Sequence, residues 1–270
     1  MGVQYLEIST LEQTGATASF LTAAENALTD RTDLLAWFDA RGWSAEMDTS
    51  SRISTWYSRK PVGVSFPTVS TSSAAQGLYW GIVPGGTERD EIRFGINAAG
   101  AAIAGFNNKL ATGNSHFVVP ATDFTIELYM RVLTPASTTV ILGTSDTTAP
   151  MSINVTSTGV IRWYSAYSTT FIATSSGVVA DQNYHKFVFN YDATAKTGAI
   201  LYDGSTVKSA SSLDLSSHVG QVMQFGQIVS GGSTTTAGSG FALQGALLIS
   251  DVAGTTTRGL YDTVLTERAA

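Results

Sequence analysis

From about residue 113 onward, apolar and polar residues alternate in short runs. In Phe124-Thr125-Ile126-Glu127-Leu128-Tyr129-Met130-Arg131-Val132 every second position is apolar, the period of a strand with one face on a core. The runs 116–119, 139–142, 151–155, 160–164, 186–191, 198–202 and 241–249 also read as strands. Turn residues separate them, among them Ser157-Thr158-Gly159 and Asp203-Gly204, and 230–236 reads as a flexible surface loop. Short strands at this spacing, with almost no helix between them, predict an antiparallel two-sheet sandwich or jelly roll. No repeat of fixed period points to a propeller or solenoid.

The earlier part of the chain has a different texture. Residues 1–60 hold 8 of the 21 acidic residues and most of the helical signal. Ser9 to Glu12 fits a capping box. Phe20, Leu21, Ala24 and Leu28 recur at helical spacing, as do Leu34, Leu35, Trp37 and Phe38 after the cap candidates Asp30 and Asp33. One or two short amphipathic helices are predicted, and Pro61 and Pro67 end the region. Between 61 and 112 the runs 78–83 and 91–96 read as strands, bracketed by Pro84-Gly85-Gly86 and Asn97-Ala98-Ala99-Gly100. The expected organisation is an N-terminal attachment region (1–60), a strand-containing connecting segment that is either part of the sandwich or a separate hairpin (61–112), and the sandwich proper (113–270). The fold class is mainly β with a partly helical N-terminal region.

Composition changes what such a fold is for. Charged residues make up 13 % of the chain, about half the ~25 % usual in a soluble domain. Ser, Thr, Gly and Asn must supply the surface polarity, and such a surface is cheaper to bury against neighbours than Lys or Glu. Net charge is −6 with no run of Lys or Arg, which argues against nucleic acid and anionic membrane as partners. There is no cysteine, so disulfides, zinc thiolates and thiol catalysis drop out. Met1 to Glu7 lacks the basic and apolar stretches of a signal peptide, and no run nears ~18 apolar residues. The expectation is a chain made in a host cytoplasm that leaves inside a particle or by lysis.

Three phrases then stand in order: Phe124-Thr125-Ile126-Glu127, Tyr184-His185-Lys186-Phe187-Val188-Phe189-Asn190-Tyr191-Asp192 and Leu201-Tyr202-Asp203-Gly204-Ser205-Thr206-Val207. Over roughly 113–255 the chain resembles the concanavalin A-like lectin/glucanase superfamily in its laminin G-like branch, with Tyr184 where Trp is usual. The resemblance implies a jelly-roll sandwich and no single activity, since that superfamily includes lectins, hydrolases and adhesion modules. Leu34-Leu35-Ala36-Trp37-Phe38-Asp39-Ala40, with Trp56 further on, resembles a segment that precedes such sandwiches in bacteriophage virion proteins.

Candidate chemistry is sparse. Glucanases of the resembled superfamily use E-x-D-x-E, with two carboxyls about 5–5.5 Å apart for retention. Glu88-Arg89-Asp90-Glu91 is one residue short of that, so in a regular strand Glu88 and Asp90 share a face and Glu91 points away; a solvated turn is the simpler reading. His116, His185 and His218 have no metal-ligand spacing, and no catalytic residue is assigned. Relatives in the resembled family hold calcium with loop carboxylates, which makes Asp146, Asp192 and Asp203 the candidates here, although no loop gathers several of them.

For glycan or partner binding, alternation puts Trp163 and Tyr164 on opposite faces, and Tyr164, Tyr167 and Phe171 are the candidate exposed rings. The alternative is that these rings pack on the N-terminal region or a neighbouring subunit. Trp37, Phe38, Trp43 and Trp56 are expected to dock the N-terminal region. The leading expectation is a non-enzymatic virion structural protein, capsid-decorating or tail-associated, acting as a homo-oligomer beside other virion proteins. A carbohydrate-binding module recognising a cell-surface glycan is the alternative, and a glycoside hydrolase stands third.

Overall fold

Alternating apolar and polar residues bounded by turn formers fold into strands throughout this chain. The computed structural model describes residues 22–40, 45–47, 53–60, 68–70, 78–82, 89–96, 111–112, 117–133, 138–144, 150–166, 169–174, 181–230, 233–236, 240–251 and 255–269. Its strands are β1 (Leu34–Asp39), β2 (Ala45–Met47), β3 (Ile53–Tyr57), β4 (Thr68–Ser70), β5 (Leu78–Ile82), β6 (Arg89–Phe94), β7 (Ala111–Thr112), β8 (Phe124–Val132), β9 (Thr139–Thr144) and β10 (Ser152–Val155). There follow β11 (Ile161–Ala166), β12 (Thr169–Ala173), β13 (Tyr184–Asp192), β14 (Thr197–Tyr202), β15 (Ser205–Ser211), β16 (Met223–Phe225), β17 (Gln227–Ser230), β18 (Ser233–Thr236) and β19 (Phe241–Ile249). Two helices frame them, α1 (Ala23–Thr29) and α2 (Thr255–Ala269).

Two antiparallel sheets form the sandwich. The larger has eight strands in the order β15-β14-β13-β8-β19-β6-β5, with β1 also paired to β19. The smaller has five, β12-β11-β10-β9-β16. Phe124, Ile126, Leu128 and Met130 of β8, Phe187 and Phe189 of β13, and Phe241 and Leu243 of β19 belong to one buried core with Ile153, Ile161, Trp163 and Met223 of the smaller sheet. Burying each such side chain contributes about 1.5–3 kcal/mol. Trp163 meets Phe189 edge-on across the core, with ring centroids 5.7 Å apart. The Asp203-Gly204 turn is a two-residue hairpin between β14 and β15. Both residues have positive φ (45° and 82°), the mirror-image turn that suits strand twist.

The sandwich begins before residue 113. Strands β5 and β6 lie in the large sheet, so the connecting segment contributes to the sandwich; β2, β3, β4 and β7 form a separate four-stranded sheet. Residues 34–38, expected as helix, are strand β1, running antiparallel to β19 from Leu34↔Ile249 to Asp39↔Gly245. The reason is burial on both faces: Ala36 and Phe38 enter the main core, while Leu34 and Trp37 lie under the helices. A strand covered on both sides loses the alternation that would mark it. The 230–236 stretch, expected as a loop, contributes most of the β17–β18 hairpin.

Helix α1 forms where Ala24 and Leu28 predicted one, and Phe20 and Leu21 lie outside the described residues. Its capping box is Thr22 with Glu25: the Glu25 N–H donates to Thr22 Oγ1 (3.2 Å) and the Thr22 N–H to Glu25 Oε2 (2.9 Å). The Ser9–Glu12 box falls outside the described residues. Helix α2 was not expected at all. Its Tyr261 and Val264 join Ala24, Leu28, Leu34, Trp37, Leu247 and Ile249 in a second core, so the two helices make a third layer on the outer face of the large sheet. Arg258 Nε donates to Glu127 Oε2 (2.8 Å) and Lys186 Nζ to Asp262 Oδ1 (2.6 Å), fastening α2 to β8 and β13. Burial pushes the Glu127 carboxyl up to about 7 despite these cations.

Candidate functional site

The smaller sheet turns Met151, Ile153, Val155, Ile161, Trp163, Met223 and Phe225 into the core. Alternation therefore sends Ser152 and Asn154 of β10, Arg162 and Tyr164 of β11, and Gln224 of β16 to its outer face. Register makes them neighbours. Ser152 pairs with Tyr164 and Asn154 with Arg162, while Gly143 separates Ser152 from Gln224 and contributes no side chain between them. Arg162 Nη1 donates to the Tyr164 hydroxyl at 3.2 Å.

The floor of this patch is unusual. Ser152, Asn154 and Gln224 are 0, 6 and 5 % exposed. Ser152 Oγ, Asn154 Oδ1 and Gln224 Oε1 are buried with no hydrogen-bond partner. Buried polar atoms are nearly always paired, because an unpaired one keeps its desolvation cost of about 1–3 kcal/mol. Arg162 and Tyr164 are half-buried and border the floor. Sequence reasoning found Tyr164 and missed the other four. The available signal was weak: Asn and Gln sit mid-strand, and Asn at least is depleted there.

Tyr164 faces outward and Trp163 inward, as alternation required. Tyr167 and the Phe171 side chain lie outside the described residues, as do Trp43 and Asp146. Trp37, Phe38 and Trp56 are fully buried within this chain. Phe38 packs on Trp56 (5.3 Å) and Phe117 (4.9 Å), Trp56 Nε1 donates to the Asp39 carbonyl (3.0 Å), and the Arg59 guanidinium lies 5.2 Å over Trp37.

Glu91 is not in a solvated turn. It lies in β6, fully buried on the outer face of the large sheet. Arg131 donates to it from Nε (2.8 Å) and Nη2 (3.0 Å), and Arg93 Nε and the Tyr184 hydroxyl also donate to it. Burial alone would raise its carboxyl, but the bonds from Arg131, Tyr184 and Arg93 outweigh that and hold it below the usual carboxylate range. Glu88 and the side chain of Asp90 lie outside the described residues.

Two of the calcium candidates, Asp192 and Asp203, bond protein groups. Asp192 Oδ1 accepts from the Ala195 N–H (2.7 Å), and Asp203 accepts from the Lys186 N–H (2.9 Å) and bonds His185 Nδ1 (2.7 Å). Among the described residues no group of three or more His, Cys, Asp or Glu is gathered to hold a metal. Asp192 also lines a shallow trough of about 740 Å³ with Asn190, Thr197, Ala199, Ser209 and Ser211, but Asn190 Oδ1 already accepts from Thr125 (2.9 Å).

His185 packs at a tilt on Tyr202 (centroids 4.7 Å apart), and its Nε2 bonds Asp181 Oδ2 (3.0 Å) as its Nδ1 bonds Asp203. Burial disfavours its charge, yet the bonds to Asp203 and Asp181 prevail and raise its pKa above the ordinary histidine value. The stabilisation it brings is therefore full below about pH 6.5 and lost as pH rises through the folded value. An NMR titration is expected to place the ring above 6.5, and Asp181→Asn to move it down. A ring titrating at or below 6.5 in the parent chain contradicts the geometry.

No family model matches the sequence, and no curated protein matches it. Solved structures do share its architecture. The receptor-binding domain of botulinum neurotoxin type G is similar over 86 % of this chain and 52 % of its own, at 11 % identity and a TM-score of 0.54. The fold they share is an antiparallel two-sheet β-sandwich. Two further similar structures are the NanB sialidase from Streptococcus pneumoniae (14 % identity, 59 % of this chain, TM-score 0.47) and the Ruminococcus gnavus IT-sialidase CBM40 (12 %, 49 %, 0.42). The chain spans 25 % of the sialidase and 78 % of the CBM40 chain.

Proposed function

We propose that this protein is a non-catalytic carbohydrate-binding module whose ligand rests on the outer face of the smaller sheet. The observation that carries this reading is the set of buried, unpartnered oxygens on Ser152, Asn154 and Gln224 beneath the half-buried Tyr164. Sugar hydroxyls are donors that relieve such oxygens on binding, and a phenol ring offers a flat apolar face to the C–H side of a pyranose. Each oxygen satisfied removes a cost of about 1–3 kcal/mol that the free protein bears.

A glycan array followed by titration calorimetry is the test. Binding is expected, and Asn154→Ala combined with Tyr164→Ala weakens it by about tenfold or more while circular dichroism stays unchanged. A blank array, or an unchanged affinity in the double variant, overturns the reading.

A place in a virion, on capsid or tail and as a homo-oligomer, is a second reading. It is supported by the 13 % charged content and by the N-terminal phrase at Leu34–Asp39. Its test is independent: absence of the protein from mass spectra of purified particles ends it.

A further inference from the structure

Arg162 stands apart from the other arginines whose partners are described. Arg31 pairs with Asp33, Arg59 with Glu25 and Asp39, Arg93 and Arg131 with Glu91, and Arg258 with Glu127. Arg162 has no carboxylate partner among the described residues; its one bond is to the neutral Tyr164 hydroxyl. Its surroundings explain why. Strands β9, β10, β11, β12 and β16 contain no Asp, Glu or Lys, and Arg162 is their single charged residue. A half-buried cation on a neutral sheet, in a chain of net charge −6, has lost hydration without gaining a counter-charge.

The chemistry next to it is specific. A guanidinium carries five N–H donors, and only one of Arg162's is committed, to a phenol that remains free to donate its own hydrogen. Asn154 lies directly across the strand pair with an unpartnered Oδ1, and Ser152 lies across from Tyr164 with an unpartnered Oγ. The patch thus offers a planar cationic fork beside neutral acceptors. The fork suits a planar anion held by two parallel bonds, and the acceptors suit hydroxyl donors on the same molecule.

We propose that the ligand of this face is an acidic sugar whose carboxylate pairs with Arg162 while its ring hydroxyls donate to Asn154, Ser152 and Gln224. This rests on the carbohydrate reading above and adds the charge of the ligand to it. Tyr164 holds the guanidinium in place and walls the ring.

The test uses glycans in matched pairs, each acidic oligosaccharide against its carboxyl-reduced neutral counterpart, with sulfated counterparts as a third arm. Carboxylate members are expected to bind about ten- to a hundredfold more tightly than neutral ones, with a preference that shrinks as salt is added. Arg162→Gln is expected to abolish the preference, and Arg162→Lys to keep only part of it. An unchanged melting temperature in both variants shows that the fold is intact. Equal binding of acidic and neutral members overturns the charge assignment but leaves the carbohydrate reading standing. Stronger binding of the sulfated members overturns the carboxylate in favour of a sulfate. Failure of every sugar overturns both.

Discussion

Glu91→Ala is expected to lower the unfolding free energy by about 3–5 kcal/mol, the largest effect of any single substitution considered for this chain. The carboxylate is fully buried, and removing it strands Arg131 (3 % exposed) as a cation on the outer face of the large sheet and takes a partner from Arg93 and from the Tyr184 hydroxyl. These groups come from β6, β8 and β13, so the loss spreads across the sheet. Denaturant unfolding at pH 7 measures it. A loss below about 1 kcal/mol would mean that the cluster is worth no more than an exposed ion pair. The pH dependence has a definite sign. Because the Glu91 carboxyl titrates below its ordinary value, its contribution is complete above about pH 4.5 and disappears as pH falls through the folded value. The gap between the parent chain and Glu91→Gln is therefore expected to narrow in acid.

Gly245→Ala is expected to cost about 1–3 kcal/mol by overpacking, through a different mechanism. A Cβ at 245 would overlap the Tyr261 hydroxyl, lie 3.0 Å from its Cζ and 3.3 Å from the Phe38 carbonyl oxygen. The glycine makes a notch in β19 that the ring of helix α2 fills, edge-on to Trp37 at 6.4 Å. Methylating the notch forces α2 away from the sheet or shifts β1. The double variant Gly245→Ala/Tyr261→Phe lacks the overlapping oxygen and is expected to be less destabilised than the two single changes summed. Additivity in that cycle would place the clash elsewhere.

How much of this could be read beforehand varied with how many faces of an element are covered. Strands β8 and β13 have one apolar face and one polar face, so alternation disclosed them, and Asp203-Gly204 disclosed the hairpin. Strand β1 is covered on both sides, so Leu34, Leu35, Trp37 and Phe38 fitted a helical period as well as any other. Helix α2 escaped because five threonines and Gly259 dilute the spacing of Leu260, Tyr261, Val264 and Leu265. At the candidate site, Tyr164 was legible from its place opposite Trp163. Ser152, Asn154 and Gln224 were not, since nothing local distinguishes a solvated outward amide from one sealed in without a partner. That property arises only when distant segments come together.

Both helices lie against the outer face of the large sheet, and Arg162 and Tyr164 project from the opposite side of the sandwich. The molecule therefore has a front and a back. Anything tethered through α1 or α2 sits behind the domain, on the side away from the guanidinium and phenol. Immobilising the protein through α2 on a sensor chip should keep full ligand capacity, whereas coupling through the strands of the smaller sheet should occlude it.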